Sequence, residues 1–133
     1  MLRFLIIDDD EDDRELFCTA VDDVEPTIQC MTADDGEDAL CGLRRGRFPK
    51  PDLIFLDLNM PRLNGVQTLI ELKKDCHLKD IPVVIYSTSK LERDKRETAR
   101  LGAAGFITKP TALSELQVAI TDILNDQFHI HRK

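Results

Sequence analysis

The sequence predicts one α/β domain: a doubly wound, five-stranded parallel sheet with helices on both faces. Two observations predict it. Five short apolar runs alternate with five helix-like segments, and an unbroken strand–helix–strand rhythm calls for parallel strands joined by helical crossovers. Two of the runs, Phe4-Leu5-Ile6-Ile7 and Leu53-Ile54-Phe55-Leu56, are continuously apolar. Strands buried on both faces read that way, whereas half-buried strands alternate.

The strands are expected at Arg3–Asp8, Thr27–Ala33, Leu53–Asp57, Pro82–Ser87 and Gly105–Lys109. Between the first two, Leu16, Ala20, Val21 and Val24 recur at near-helical spacing. The turn Asp34-Asp35-Gly36 precedes a short helix over Glu37–Leu43. Val66, Leu69, Ile70 and Leu72 mark a third helix, Leu91–Leu101 a fourth and Leu113–Leu124 a fifth. Ser114-x-x-Gln117 has the form of a capping box for the last. The pattern fills about residues 2–125, leaving 126–133 as a polar tail, so 1–133 reads as a single domain. His129 and His131 lie in that tail with no third ligand nearby and read as solvated.

Length and composition narrow the function. A chain of 133 residues fits one domain. With 42% hydrophobic and 32% charged residues it is a globular rather than a disordered sequence. Its net charge of −7 argues against binding nucleic acid or an anionic membrane surface, because no excess of cations is available for phosphates. No apolar stretch approaches the ~18 residues of a membrane span. The first strand begins almost at the N-terminus, so no signal peptide is expected and the cytoplasm is the expected compartment. Cys18, Cys30, Cys41 and Cys76 form no CxxC pair and read as reduced structural cysteines.

The chemistry gathers at the strand ends. The first strand runs into Asp8, Asp9 and Asp10, the third into Asp57, the fourth into Ser87-Thr88 and the fifth into Lys109-Pro110. In an open parallel sheet, ligands bind outside the carboxyl ends of the strands. A lone aspartate there is usually a turn or cap residue, but here two acidic ends, a hydroxyl and a cation supply one crevice. Two carboxylates ~4 Å apart repel by about 4 kcal/mol at an effective dielectric near 20. Such a cluster raises its pKa values or recruits a cation. Carboxylates with a backbone carbonyl and waters are hard oxygen ligands suited to Mg²⁺. A lysine opposite them can grip a phosphoryl oxygen, a hydroxyl can donate to another, and a carboxylate can itself be the nucleophile.

These residues, in this order, resemble the bacterial response-regulator receiver domain, in its single-domain, chemotaxis-type form. The resemblance rests on Leu5-Ile6-Ile7-Asp8-Asp9-Asp10, on Leu56-Asp57-Leu58-Asn59-Met60-Pro61 and Gly65, on Ser87, and on the stretch from Gly102 through Lys109-Pro110. It implies the flavodoxin-like strand order 2-1-3-4-5 and a phosphoacceptor role in a two-component system. Asp57 would take phosphate from the phosphohistidine of a histidine kinase, and Ser87 and Lys109 would bind the phosphoryl group. Asp9, Asp57 and the Asn59 carbonyl would hold Mg²⁺, with Asp8 acting through water. Phe106 takes the position of the aromatic switch residue, and the Lys109–Pro110 peptide is expected to be cis. Such a module is no classical enzyme: it catalyses its own phosphorylation and dephosphorylation. Without an output domain its signal leaves by protein contact, or by phosphotransfer to a histidine on another protein.

Four positions depart from the family pattern. Asn64 stands where many relatives have Asp, and Ser87 replaces a commoner Thr. Thr88 occupies a site that is often Ala or Gly, and Phe106 lacks a tyrosine hydroxyl. None removes a catalytic group. A haloacid-dehalogenase-type phosphatase would need a second Asp two residues after the nucleophile, where this chain has Asn59. A flavodoxin would need a Ser/Thr/Gly-rich phosphate loop, where this chain carries carboxylates from Asp8 to Asp13. A pseudo-receiver acting only as a binding module is disfavoured by Asp8, Asp9, Asp57, Ser87 and Lys109 together. The stripe Lys90, Arg93, Arg96 and Arg100 on the fourth helix reads either as solvated surface or as a partner-binding face, and Arg44, Arg45, Arg47 and Lys50 as surface.

Overall fold

Strand and helix alternate throughout the structure, a computed structural model that describes residues 2–60 and 63–128. In chain order the elements are β1 (Arg3–Ile7), α1 (Glu11–Val24), β2 (Gln29–Ala33), α2 (Gly36–Arg44) and β3 (Leu53–Leu56). They continue with α3 (Gly65–Lys74), β4 (Val83–Ser87), α4 (Glu92–Arg100), β5 (Gly105–Thr108) and α5 (Leu113–Phe128). All strands pair in parallel, in the order β2-β1-β3-β4-β5. The expected flavodoxin-like order is the one found. Pro61, Arg62 and the histidines of the tail, His129 and His131, lie outside the described residues.

The continuous apolar runs are central strands, as expected. Phe4 to Ile7 and Leu53 to Leu56 are fully buried, because each successive side chain enters the opposite one of two cores. Leu5, Ile7, Ile54, Leu56, Val83 and Ile85 face α2 and α3. Phe4, Ile6, Leu53, Phe55, Val84 and Tyr86 face α1 and α5. Burying each such side chain contributes roughly 1.5–3 kcal/mol, so the central strands are the most firmly held part of the sheet and their ends form a stiff platform.

The starts of α1, α2 and α3 carry side-chain caps, whereas α4, with Leu91 at its N-cap position, has none. Asp10 accepts the Asp13 N–H and Asp35 accepts the Asp38 N–H. Asn64, one of the departures from the family pattern, is the N-cap of α3 and forms a full capping box with Gln67.

Four details differ from expectation. In α1 the inward residue is Phe17, with Ala20, Val21 and Val24, while Leu16 is 37% exposed; neighbouring residues on a helix diverge by about 100°. Ser114 lies within the first turn of α5, and Gln117 donates its amide to Asp23 of α1 rather than to a cap. α5 also runs through Asp126 and Gln127 to Phe128, beyond the expected start of the tail, because the Phe128 ring stacks 6.3 Å from Phe4 and closes the α1–α5 core. The Lys109–Pro110 bond is trans, as no described peptide bond is cis. An X–Pro bond favours trans by only about 0.5–1 kcal/mol, so either isomer is accessible.

Candidate functional site

The register of the sheet sets four chain segments side by side. Ile7 pairs with Leu56 and Ser87 with Thr108, so Asp8, Asp57, Ser87 and Lys109 leave the sheet at one edge. Backbone bonds fix these exits: Asp57 N–H donates to Ile7 O at 3.0 Å, and Lys109 N–H donates to Ser87 O at 2.7 Å. Ser87 is therefore the last residue of β4, and Asp8, Asp57 and Lys109 each stand one residue past the end of β1, β3 and β5.

Lys109 is the hub. Its Nζ lies 2.7 Å from Asp8 Oδ2, 2.8 Å from Asp13 Oδ2 and 3.8 Å from Asp57 Oδ2. Burial alone would lower its pKa, but the hydrogen bonds to Asp13 and Asp8 and the Asp57 charge outweigh burial and raise it. Lys109 is therefore a permanent cation, and its Nζ also stands 5.3 Å above the ring centroid of buried Tyr86. Asp8 is fully buried, and its other oxygen accepts the Asp10 N–H. Arg14 donates to the Asp8 carbonyl at 2.8 Å, bracing the turn into α1.

Asp8, Asp9 and Asp57 each offer an oxygen, all within 4.8 Å of one another. This donor set of hard oxygens, two of them buried and one open to solvent, fits a divalent cation that keeps some of its water. Asn59 lies two residues past Asp57 on the exposed side, with its N–H 3.4 Å from Asp57 Oδ1. Ser87 is fully buried, and its Oγ accepts the Ser89 N–H, while Thr88 beside it is exposed. Phe106 is half-buried against the α2–α3 core with Lys95 Nζ 5.9 Å over its ring. It therefore belongs to the flank of the site rather than to the carboxylate cluster. Lys90, Arg93, Arg96 and Arg100 are all exposed.

One member of the cluster was missed in the sequence. Asp13 sat in the acidic run with no role, yet it is the second carboxylate on Lys109. Its place three residues after the cap Asp10 puts it in the first turn of α1, but its pairing with a lysine 96 residues away depends on how α1 docks on the sheet.

Asp57 carries an electrostatic cost. Burial pushes its pKa up to about 6; the Lys109 charge draws it down, the Asp8 charge pushes it up, the Asn59 N–H lowers it and Asp9 raises it. The folded chain thus holds this proton more tightly than the unfolded chain, whose carboxyl titrates near 3.8. The ionised group costs the metal-free fold progressively more as pH rises from 3.8 to about 6, and the cost is complete above that. In chelator, the thermal stability of Asp57→Asn is accordingly expected to exceed wild type by a margin that grows across this window and then levels. Melts at stepped pH measure it, and a margin that stays constant would contradict the raised pKa.

The chain belongs to the response regulator receiver domain family, whose model matches residues 4–121. It is the receiver domain of a two-component response regulator, a phosphoacceptor signalling module. Protein PilH of Pseudomonas aeruginosa is 34% identical over 93% of this chain and 98% of its own length. The chain spans about half the length of several other curated relatives. Among solved structures, the phosphorylated cyanobacterial phytochrome response regulator RcpA superposes with a TM-score of 0.87 at 32% identity, covering 98% of this chain and 96% of that one. The Mn²⁺-bound response regulator Rcp1 superposes with a TM-score of 0.85 at 27% identity, over 100% of this chain and 99% of that one. No described helix is long and apolar enough to cross a membrane.

Proposed function

We propose that Asp57 accepts a phosphoryl group from the phosphohistidine of a histidine kinase or histidine phosphotransfer protein, in a reaction that requires Mg²⁺. One observation carries the reading: Asp57 is a buried carboxylate at the end of β3 that shares its crevice with Asp8 and Asp9 and with the Lys109 ammonium. An Asp57 oxygen attacks phosphorus as the P–N bond of the donor breaks, and the imidazole nitrogen leaves with the bonding pair. Lys109 gives a fixed positive charge to a phosphoryl oxygen, and the Ser87 hydroxyl donates to another. Asp8, Asp9, Asp57 and the Asn59 carbonyl would hold Mg²⁺, which would neutralise charge on the phosphoryl oxygens. Attack by water on the acyl phosphate later returns Asp57 to its carboxylate, so the module catalyses both its own phosphorylation and its own reset.

Output follows from the same atoms. The phosphoryl group draws the Ser87 hydroxyl inward, and the loop after β4 moves with it. Phe106 rotates into the space released, changing the face formed by α4, β5 and α5 that carries the exposed basic stripe. That face passes the signal by protein contact, or the phosphoryl group itself moves on to a second histidine.

Incubation with phosphoramidate or acetyl phosphate and Mg²⁺ is expected to add about 80 Da of phosphoryl mass. Asp57→Asn and excess EDTA should each abolish the adduct. An adduct surviving in Asp57→Asn would move the acceptor elsewhere.

Mg²⁺ should also stabilise the fold, since it relieves repulsion among carboxylates that are gathered only when the chain is folded. The gain is about 2.7 kcal/mol at a hundredfold excess over the dissociation constant. Asp9→Ala should erase the shift seen between EDTA and Mg²⁺ melts; an undiminished shift would place the cation elsewhere.

A further inference from the structure

We propose that Cys18 and Cys30 are a redox-active dithiol that a hydroperoxide converts to an intramolecular disulfide, tying α1 to β2. The inference is independent of the phosphoacceptor reading. The two sulfurs are 2.7 Å apart, about 0.7 Å more than the bond length of ~2.05 Å. Twelve residues separate them, but the β1–β2 pairing, in which Cys30 lies opposite Phe4, brings β2 under α1. Both are free thiols, neither fully exposed nor fully buried, at the margin of the α1–α5 core. Cys41 and Cys76 are also free thiols.

Access and polarity are unequal within the pair. Cys18 lines a surface cleft of ≈ 240 Å³ with Glu11, Arg14, Glu15 and Thr32, and Cys30 is not among its lining residues. A small oxidant therefore meets Cys18 first. The hydrogen bond from Cys30 holds the Cys18 thiol below its ordinary pKa, against burial and with help from the Arg14 charge. That bond, together with burial and the Cys18 charge, raises Cys30. Cys18 is thus the more acidic thiol of the pair, and Cys30 lies within reach to resolve it.

The step balances. The Cys18 thiolate attacks one peroxide oxygen, the O–O bond breaks, and the alkoxide leaves with the thiol's proton as an alcohol, giving Cys18 sulfenic acid. Cys30 then attacks the Cys18 sulfur, the S–O bond breaks, and water departs with the Cys30 proton. Two thiols and one hydroperoxide yield one disulfide, one alcohol and one water.

The test uses hydrogen peroxide on the full chain, read by intact mass, digestion before aspartate and thermal melts. A small molar excess should remove about 2 Da and link the peptide 13–21 to 23–33. Closing so short a loop should raise the melting temperature by roughly 5–10 °C, reversibly with dithiothreitol. Cys30→Ser should stop at a Cys18 sulfenic acid that dimedone traps. The double variant Cys41→Ser, Cys76→Ser should still lose the same mass and form the same link. Links between other cysteines or between chains would overturn the proposal, as would four titratable thiols persisting in wild type.

Discussion

Replacing Lys109 with methionine is expected to destabilise the metal-free protein by about 3–5 kcal/mol, the usual cost of stripping one partner from a buried ion pair. The ammonium is the cation shared by Asp8, Asp13 and Asp57, and the Asp8 side chain is fully buried. Methionine keeps most of the apolar stem but leaves these carboxylates facing one another. Two outcomes separate charge from packing. Mg²⁺ should restore more stability to Lys109→Met than it adds to wild type, because it supplies the missing positive charge. Adding Asp8→Asn to the variant should recover part of the loss, since one of the uncompensated charges is then gone. Melts in EDTA and in Mg²⁺ measure both. A variant as stable as wild type in EDTA would mean that the ammonium merely balances its own desolvation.

Gly65→Ala is expected to cost roughly 1–3 kcal/mol by overpacking and to slow phosphorylation by about 10–100-fold through misplacement of the acceptor. The demand for glycine here is steric. A Cβ at this position would overlap the Asp57 carbonyl oxygen and stand 2.6 Å from the Leu58 Cα. Both neighbours are backbone, so no side chain can swing aside. The Gly65 N–H also donates to the Leu58 carbonyl at 3.0 Å, which ties the start of α3 to the loop after Asp57. Any shift that accommodates a methyl group therefore moves Asp57. Adduct kinetics with phosphoramidate, followed by intact mass, read the effect on the site, and melts read the effect on the fold. Wild-type adduct kinetics would show that the loop yields without carrying Asp57 with it.

Much of the fold was legible because its signals are local. Leu53-Ile54-Phe55-Leu56 is apolar at every position and short, bounded by Pro51 and a turn-rich segment, which suits a strand covered on both faces, and its boundary leads directly into Asp57. The same holds for Phe4 to Ile7 and Asp8. Once the strands are parallel, their carboxyl ends share an edge, so Asp8, Asp9, Asp57, Ser87 and Lys109 could be grouped before any distance was known.

What the tertiary structure alone decided are matters of helix phase and of partners distant in the chain. Leu16 and Phe17 are adjacent apolar residues; Phe17 stands at i, i+3, i+4, i+7 spacing with Ala20, Val21 and Val24, and the packing of α1 on the sheet takes it, not Leu16, into the core. α5 extends to Phe128 because Phe4, far away in sequence, receives its ring. Asp13 looked like one more carboxylate in an acidic run until the entry angle of α1 set it 2.8 Å from Lys109 Nζ. Cys18 and Cys30 carried no motif, and the crossing of α1 over β2 made them neighbours. Strand identity is set by the burial of each residue and can be read one position at a time. Side-chain pairing depends on where whole elements dock, and no single stretch of sequence contains that information.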